Sequence, residues 1–261
     1  MALRHGLGLI PDDPDPRDLP IGALVETDAP APDSDSVAFQ CHPVLDQETT
    51  ESCVLFAAAQ SLWIVQGSLG VTTRFLLSPL AGYHDARRLR GGRDCTLVDL
   101  GCSPRFAWEA LRTLGPVSWE DWPFVAANVN AEVPWNARRN AIDRDWLAYF
   151  RIEEEGDARC HAIKRAINQG YAPSIGLTVD QGLVDWAGPD PWRRTGPVIG
   201  RHMVTVTGYD PSGVHIVNSW GYGWGIAGHG LLSWDTIRSE ETTDLTVPQI
   251  DLARFKCLLS C

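Results

Sequence analysis

The chain has 261 residues, 44% hydrophobic and 21% charged, which suffices for one large domain or two packed lobes. Its formal net charge of −11 argues against nucleic acid and anionic membrane surfaces as partners. No stretch approaches the roughly 18 to 20 apolar residues that span a bilayer, and the first 20 residues lack the apolar run of a secretory signal. A cytoplasmic protein is therefore expected.

Seven cysteines cannot all pair within one chain, so at least one thiol is free. The odd number, without a recognisable signal, favours reduced thiols. Whether Cys257 and Cys261 pair with each other or with another group stays open. A zinc site is disfavoured because the Cys and His residues lack ligand spacing, and no metal or other cofactor is expected.

Residues 1–40 are rich in proline and aspartate, as in PDDPDPRD and TDAPAPDSDS. Proline removes backbone donors and restricts φ, so the composition predicts an extended strap without regular structure. A disordered tail and a short lid are the alternatives. Residues 41–261 are predicted to form the globular domain.

Residues 53–66 (CVLFAAAQSLWIVQ) are apolar on nearly every side, which predicts a buried helix. Ser52 is its expected N-cap and Gly67 its expected stop. Helices are also predicted over 103–114 and 158–169, each followed by glycine.

The second half of the chain changes to β-branched segments at 172–179, 202–209 and 214–220. The sequence Asp-Pro-Ser-Gly at 210–213 is a turn signal that predicts an antiparallel hairpin. The chain is therefore expected to be α+β, with a helical first half, a β second half and a cleft between two lobes.

Cys53 stands at the predicted start of a helix, where the partial positive charge of the helix end lowers thiol pKa values. A nucleophilic thiol also needs a base and a donor for the developing oxyanion. Gln47, six residues upstream, is the candidate donor. His202 opens one strand of the hairpin as candidate base, and Asn218 ends the other.

The hairpin register brings the last two residues together. An odd loop centred on Pro211 would place Asn218 opposite Val204, diagonal to His202 on one face, about 7–8 Å away between backbones. The Asn218 amide would then hold one ring nitrogen of His202 while the other faces the thiol.

The run from Asn218 to Gly225 reads NSWGYGWG. Together with Gln47 six residues before Cys53, and His202 sixteen before Asn218, it resembles the papain family of cysteine peptidases. The resemblance implies a helical lobe over about 41–150, an antiparallel β-sheet or barrel lobe over about 151–261, and an active site in the cleft. It assigns catalysis to these four residues.

Several positions depart from the family pattern. Thr50 replaces a cysteine that usually forms a disulfide, which leaves Cys102 free. Glu51 replaces a glycine of the substrate groove, so it could select a basic side chain or a terminal amine, block the groove, or raise the pKa of Cys53. Glu51, Ser52 and Trp220 are the candidate substrate-binding residues, and Trp220 is also expected to shield the Asn–His contact from water.

The sequence thus predicts a cysteine peptidase that hydrolyses amide bonds of a peptide or protein substrate through a thioester acyl-enzyme. One alternative is an acyltransferase or peptide-tailoring enzyme that uses the same residues and passes the acyl group to an amine. Another is a catalytically silent papain-like binding module. Endo- versus exopeptidase action and the oligomeric state stay open.

Overall fold

A computed structural model of the chain describes residues 5–26, 30–142 and 145–259, with side chains as far as Phe255. Helices dominate the first half and antiparallel strands the second, as predicted. The helices are α1 (Cys53–Ser68), α2 (Pro79–Gly91), α3 (Pro104–Leu114), α4 (Trp135–Arg139), α5 (Gly156–Asn168), α6 (Gln181–Val184), α7 (Trp234–Arg238) and α8 (Leu252–Leu259). The strands are β1 (Asp35–Ser36), β2 (Leu147–Ile152), β3 (Ser174–Val179), β4 (Gly200–Asp210), β5 (Gly213–Val217), β6 (His229–Leu232) and β7 (Thr242–Ile250).

Helix α1 begins at Cys53 after the N-cap residue Ser52, as predicted, but the predicted stop at Gly67 is wrong. Gly67 lies inside the helix, and the residue with left-handed backbone is Gly70, at φ +73°. The Ser52 side chain does not cap the helix, because its hydroxyl pairs with the Thr50 hydroxyl at 2.7 Å. Buried neighbours on every side, rather than the terminal residues, therefore stabilise this helix.

The strands form one seven-stranded antiparallel sheet in the order β2-β7-β3-β4-β5-β6, with β1 pairing with β4. The predicted hairpin is formed by β4 and β5. Its loop does not contain the predicted odd number of residues, because Asp210 pairs with Gly213 across a two-residue turn. A bulge between Val206 and Gly208 supplies the extra residue instead.

The N-terminal region is less irregular than predicted, since it contains two 3₁₀ turns, Ile21–Ala23 and Ala38–Gln40, besides β1. Of the three hydrophobic clusters among the described residues, the two larger ones lie mainly under the sheet and around α1 to α3. Leu7 packs into the sheet-side cluster and Leu9 into the helical one. Because Leu7 belongs to one cluster and Leu9 to the other, the N-terminal segment lies between the two lobes.

No helix among the described residues is long and apolar enough to cross a bilayer. The pairing alternatives for Cys257 and Cys261 lie outside the described side chains. Cys102 is a free, buried thiol, as expected from Thr50 at the position of the usual partner.

Candidate active site

The hairpin brings His202 and Asn218 into contact. Thr205 pairs with Val217, and continuing this register by one residue sets Asn218 opposite Val204, as predicted. His202 Nε2 lies 2.7 Å from Asn218 Oδ1. Because an amide oxygen only accepts, the contact assigns the proton of the imidazole to Nε2 and leaves Nδ1 to act as a base.

Trp220 lies against this pair. Its ring stacks on the His202 imidazole, with centroids 4.4 Å apart and planes 29° from parallel, and it is 2% exposed. The same indole stacks on His5, at 4.9 Å and 14°. The Trp220 ring on the imidazole excludes water from the hydrogen bond to Asn218, and the low local dielectric strengthens that bond.

The Cys53 thiol is fully buried at the first residue of α1 and accepts a hydrogen bond from the backbone N–H of Met203, the residue after His202. Burial raises the pKa of the Cys53 thiol to about 12 and lowers the pKa of the His202 imidazole to about 4. No hydrogen-bond partner among the described residues reaches Nδ1 of His202. Thiol and imidazole are both neutral at pH 7 in this closed state, because neither charge is solvated.

The side-chain amide of Gln47 is buried and held by hydrogen bonds at both its oxygen and its nitrogen. Its backbone N–H donates to the carbonyl of Ser219 at 2.9 Å, and its Oε1 accepts from the Ser219 hydroxyl at 2.6 Å. Nε2 is left to donate to the carbonyl oxygens of Thr50, at 2.6 Å, and Gly6, at 3.3 Å. Ser219 was not singled out from the sequence, although it directly follows Asn218 in the NSWG run.

Residues 5–10, here called the cleft segment, lie between the two lobes and contact Gln47, Glu51 and Trp220. The Leu7 N–H donates to the Glu51 carboxylate at 3.0 Å. Gly8 forms an isolated parallel β-bridge with Arg201 of β4. Leu9 forms a second one with Cys102 of the helical lobe. The segment thus bonds to both lobes across the groove and covers the candidate catalytic residues.

Two glycines allow the cleft segment to approach so closely. A Cβ on Gly6 would lie 1.9 Å from the carbonyl oxygen of Thr50, and one on Gly8 would lie 1.8 Å from that of Glu51. Backbone atoms cannot yield to such contacts, so a side chain at either position would displace the segment. The sequence analysis did not identify these glycines, whose contacts are more than forty residues away along the chain.

A buried ionic cluster anchors the chain just after the cleft segment. Asp12 contacts Arg151 at 2.7 Å and accepts from the backbone N–H of Arg105 at 2.9 Å. Asp18 pairs with Arg105 at 2.6 Å, and Asp244 contacts Arg151 at 3.3 Å. The predicted proline- and aspartate-rich strap is therefore tied to α3 and to the sheet by its carboxylates.

The three candidate substrate-binding residues lie in different surroundings. Glu51 is half-buried and contacts the cleft segment, and Trp220 lies beneath His5. Ser52 is buried and faces Thr50. The backbone N–H of Glu51 donates to both oxygens of Asp99, at 3.2 Å each, a second carboxylate that the sequence analysis did not single out.

Solved structures of papain-like cysteine proteases share this architecture, so the chain has the papain-like fold, and the predicted resemblance and fold class are confirmed. One is xylellain, a cysteine protease from Xylella fastidiosa, with a TM-score of 0.83 and 21% identity, covering 96% of this chain and 98% of that chain. Another is digestive procathepsin L 3 of Tenebrio molitor larval midgut, with a TM-score of 0.71 and 18% identity, covering 95% and 77%. ProCathepsin B S9 from Trypanosoma congolense has a TM-score of 0.69 at 17% identity, covering 95% and 87%. No protein-family model and no curated protein sequence matches the chain.

Proposed function

We propose that this chain is a cysteine peptidase that the cleft segment holds in a latent state. The observation that carries the proposal is the Gln47 amide, six residues before the buried Cys53 thiol, which donates to a peptide carbonyl, that of Gly6, at 3.3 Å. A donor aimed at a carbonyl oxygen next to a nucleophile is what acyl transfer requires. The His202–Asn218 hydrogen bond, with Nδ1 left as base, supports the same reaction.

The reaction begins when Nδ1 of His202 takes the Cys53 proton and the thiolate sulfur bonds to the substrate carbonyl carbon. Gln47 Nε2 and the Cys53 backbone N–H stabilise the resulting oxyanion. His202 then gives its proton to the amine as the carbon–nitrogen bond breaks, which leaves a thioester. Water, deprotonated by neutral His202, attacks the thioester carbon, and the acid leaves as the thiol is restored.

The orientation of the cleft segment favours inhibition rather than self-cleavage. His202 must face the leaving amine, so the acyl side of a substrate lies away from it, toward Glu51. In the cleft segment, His5 stacks near His202 through Trp220, whereas Leu7 lies at Glu51. The chain therefore runs opposite to a productive substrate, and the amine of its central peptide bond faces away from the proton donor.

Displacement of the cleft segment tests the proposal in the full chain. Gly8→Val should cleave an unfolded protein substrate faster than the wild type, and adding Cys53→Ala should abolish cleavage. Mass spectrometry of the stalled intermediate should find the acyl group on Cys53. The contrary outcome is a Gly8→Val protein that cleaves no peptide bond although its Cys53 is alkylated. That result would contradict the peptidase proposal and favour the catalytically silent binding module.

Product analysis with an added amine separates hydrolysis from transfer. Hydrolysis releases a free carboxylic acid even when millimolar amine is present. A product that carries the added amine in place of water, as the main species, would replace the peptidase proposal by the acyltransferase.

A further inference from the structure

Glu51 and Gln47 hold the two ends of one peptide group in the cleft. Gln47 Nε2 donates to the Gly6 carbonyl oxygen at 3.3 Å, and the Glu51 carboxylate accepts from the Leu7 N–H at 3.0 Å. These two atoms belong to the same peptide bond, whose oxygen and hydrogen point in opposite directions. A backbone nitrogen one bond from the carbonyl carbon therefore contacts a carboxylate.

The surroundings of Glu51 favour a cationic partner over a neutral N–H. Asp99 lies directly behind it, bonded to its backbone N–H at 3.2 Å, and Tyr83 donates to Asp99 at 2.6 Å. Neither Glu51 nor Asp99 takes part in an ion pair within the described part of the chain. A half-buried carboxylate beside another carboxylate gains more from an ammonium than from an amide, because the ammonium neutralises its charge.

Burial raises the pKa of the Glu51 carboxyl, and the neighbouring Asp99 charge raises it further. The hydrogen bond from the Leu7 N–H acts in the opposite direction and lowers this pKa. Displacing the cleft segment removes that N–H. The carboxylate is then left without its hydrogen-bond donor, at a site that penalises uncompensated charge.

We propose that Glu51 binds the free α-ammonium group of a peptide substrate, so that the enzyme removes residues from the amino terminus. This inference rests on the proposed peptidase function. A substrate runs from Glu51 past Gln47 to His202, so the nitrogen nearest Glu51 belongs to the residue whose carbonyl is attacked. The α-nitrogen of that residue is two bonds from its own carbonyl carbon. The Leu7 nitrogen, which contacts Glu51 in the closed protein, is one bond from the Gly6 carbonyl carbon, so the two nitrogens lie at similar distances from the Gln47 donor. The charged group of a lysine or arginine side chain is many more bonds away from the attacked carbonyl carbon.

Matched substrates test the proposal in the full-length Gly8→Val protein. Peptides of one sequence are compared with a free and with an acetylated amino terminus, and kcat/KM is measured for both. A charge-assisted hydrogen bond predicts a preference for the free amine of about tenfold to hundredfold. Mass spectrometry should find stepwise loss of single residues from the amino terminus. Added Glu51→Gln should bring the ratio close to one, whereas Glu51→Asp should keep part of it.

Glu48→Gln is the matched control, since it removes an exposed carboxylate three residues away in the same loop. It should leave the preference unchanged. A ratio near one in the Gly8→Val protein, or a ratio that Glu51→Gln does not alter, overturns the role of Glu51 even if peptides are hydrolysed. Preference for an internal lysine or arginine, with acetylation tolerated, overturns it as well.

A covalent probe separates this inference from the peptidase proposal. Glycine chloromethyl ketone, with a free ammonium, and its N-acetyl derivative both alkylate an accessible thiol, so both are applied to the full-length Gly8→Val protein. Faster modification of Cys53 by the reagent with the free ammonium supports the ammonium site, even if no peptide is cleaved. This rate advantage should disappear when Glu51→Gln is added. Equal rates for the two reagents, including no reaction with either, overturn it.

Discussion

Gln47 donates a hydrogen bond to the carbonyl oxygen of Gly6, so the donor predicted for a substrate carbonyl is occupied by the N-terminal segment of the chain itself. This contact connects the chemistry of the site to the stability of a segment that is distant in sequence. Loosening the segment should change the reactivity of Cys53 before it changes the fold of the lobes.

Replacement of Gly8 by valine should expose Cys53. The added side chain would overlap backbone atoms of Glu51, and strain of this kind costs about 1–3 kcal/mol. The rate of alkylation of Cys53 by iodoacetamide should therefore rise about tenfold to hundredfold. Gly188→Val is the control, because a Cβ there meets its nearest atom at 3.8 Å. Equal rates in both variants would show that the segment does not limit access.

Replacement of Asp12 by alanine should loosen the cleft segment at its C-terminal end, which Asp12 follows. The Asp12 side chain is buried against Arg151, which keeps weaker contacts to Asp18 and Asp244. The loss in unfolding free energy should be about 1–3 kcal/mol, measured by urea denaturation, with faster alkylation of Cys53. Asp15→Ala breaks a pair with the largely exposed Arg17 and should change neither quantity. Equal effects of the two substitutions would contradict an anchoring role for Asp12.

Acid should destabilise the closed protein through His202. Its imidazole has a pKa of about 4 when buried and about 6.5 when unfolded, so the unfolded state binds the additional proton between these values. Stability is then fully present above pH 6.5 and falls by about 3 kcal/mol as the pH drops to 4. Urea denaturation of the wild type and His202→Gln should differ in this pH slope. Substitution of the exposed His161 should not alter it, and a slope unchanged in His202→Gln would rule out this origin.

Removal of the Asn218 side chain should slow catalysis more than it weakens substrate binding. Its oxygen holds Nε2 of His202 at 2.7 Å, and a hydrogen bond to an imidazolium contributes about 1.5–3 kcal/mol. We expect kcat of Gly8→Val to fall about tenfold to hundredfold on adding Asn218→Ala, with KM nearly constant. Asn168→Ala, at an exposed asparagine, provides the control. An unchanged kcat would remove Asn218 from the catalytic site.

The hairpin illustrates both the reach and the limit of sequence patterns. The turn signal at 210–213 predicted the antiparallel pairing, and continuing the register of Thr205 and Val217 by one residue sets Asn218 opposite Val204. The reason was wrong, because the loop has two residues and a bulge at Val206–Gly208 provides the offset. A bulge depends on contacts with neighbouring strands, which no local pattern in the sequence records.

By itself the sequence determined the elements whose causes are local: the buried helix that begins at Cys53, the strand that carries His202, the strand that Asn218 directly follows, and the NSWG run that indicated the family resemblance. Periodicity, turn residues and short spacings encode these features directly. Only the tertiary structure decided that residues 5–10 lie in the groove, with Leu7 on Glu51 and Gly6 on Gln47. Those contacts join residues more than forty positions apart, and they depend on the absence of a Cβ at Gly6 and Gly8, which becomes meaningful only when the opposing backbone is in place.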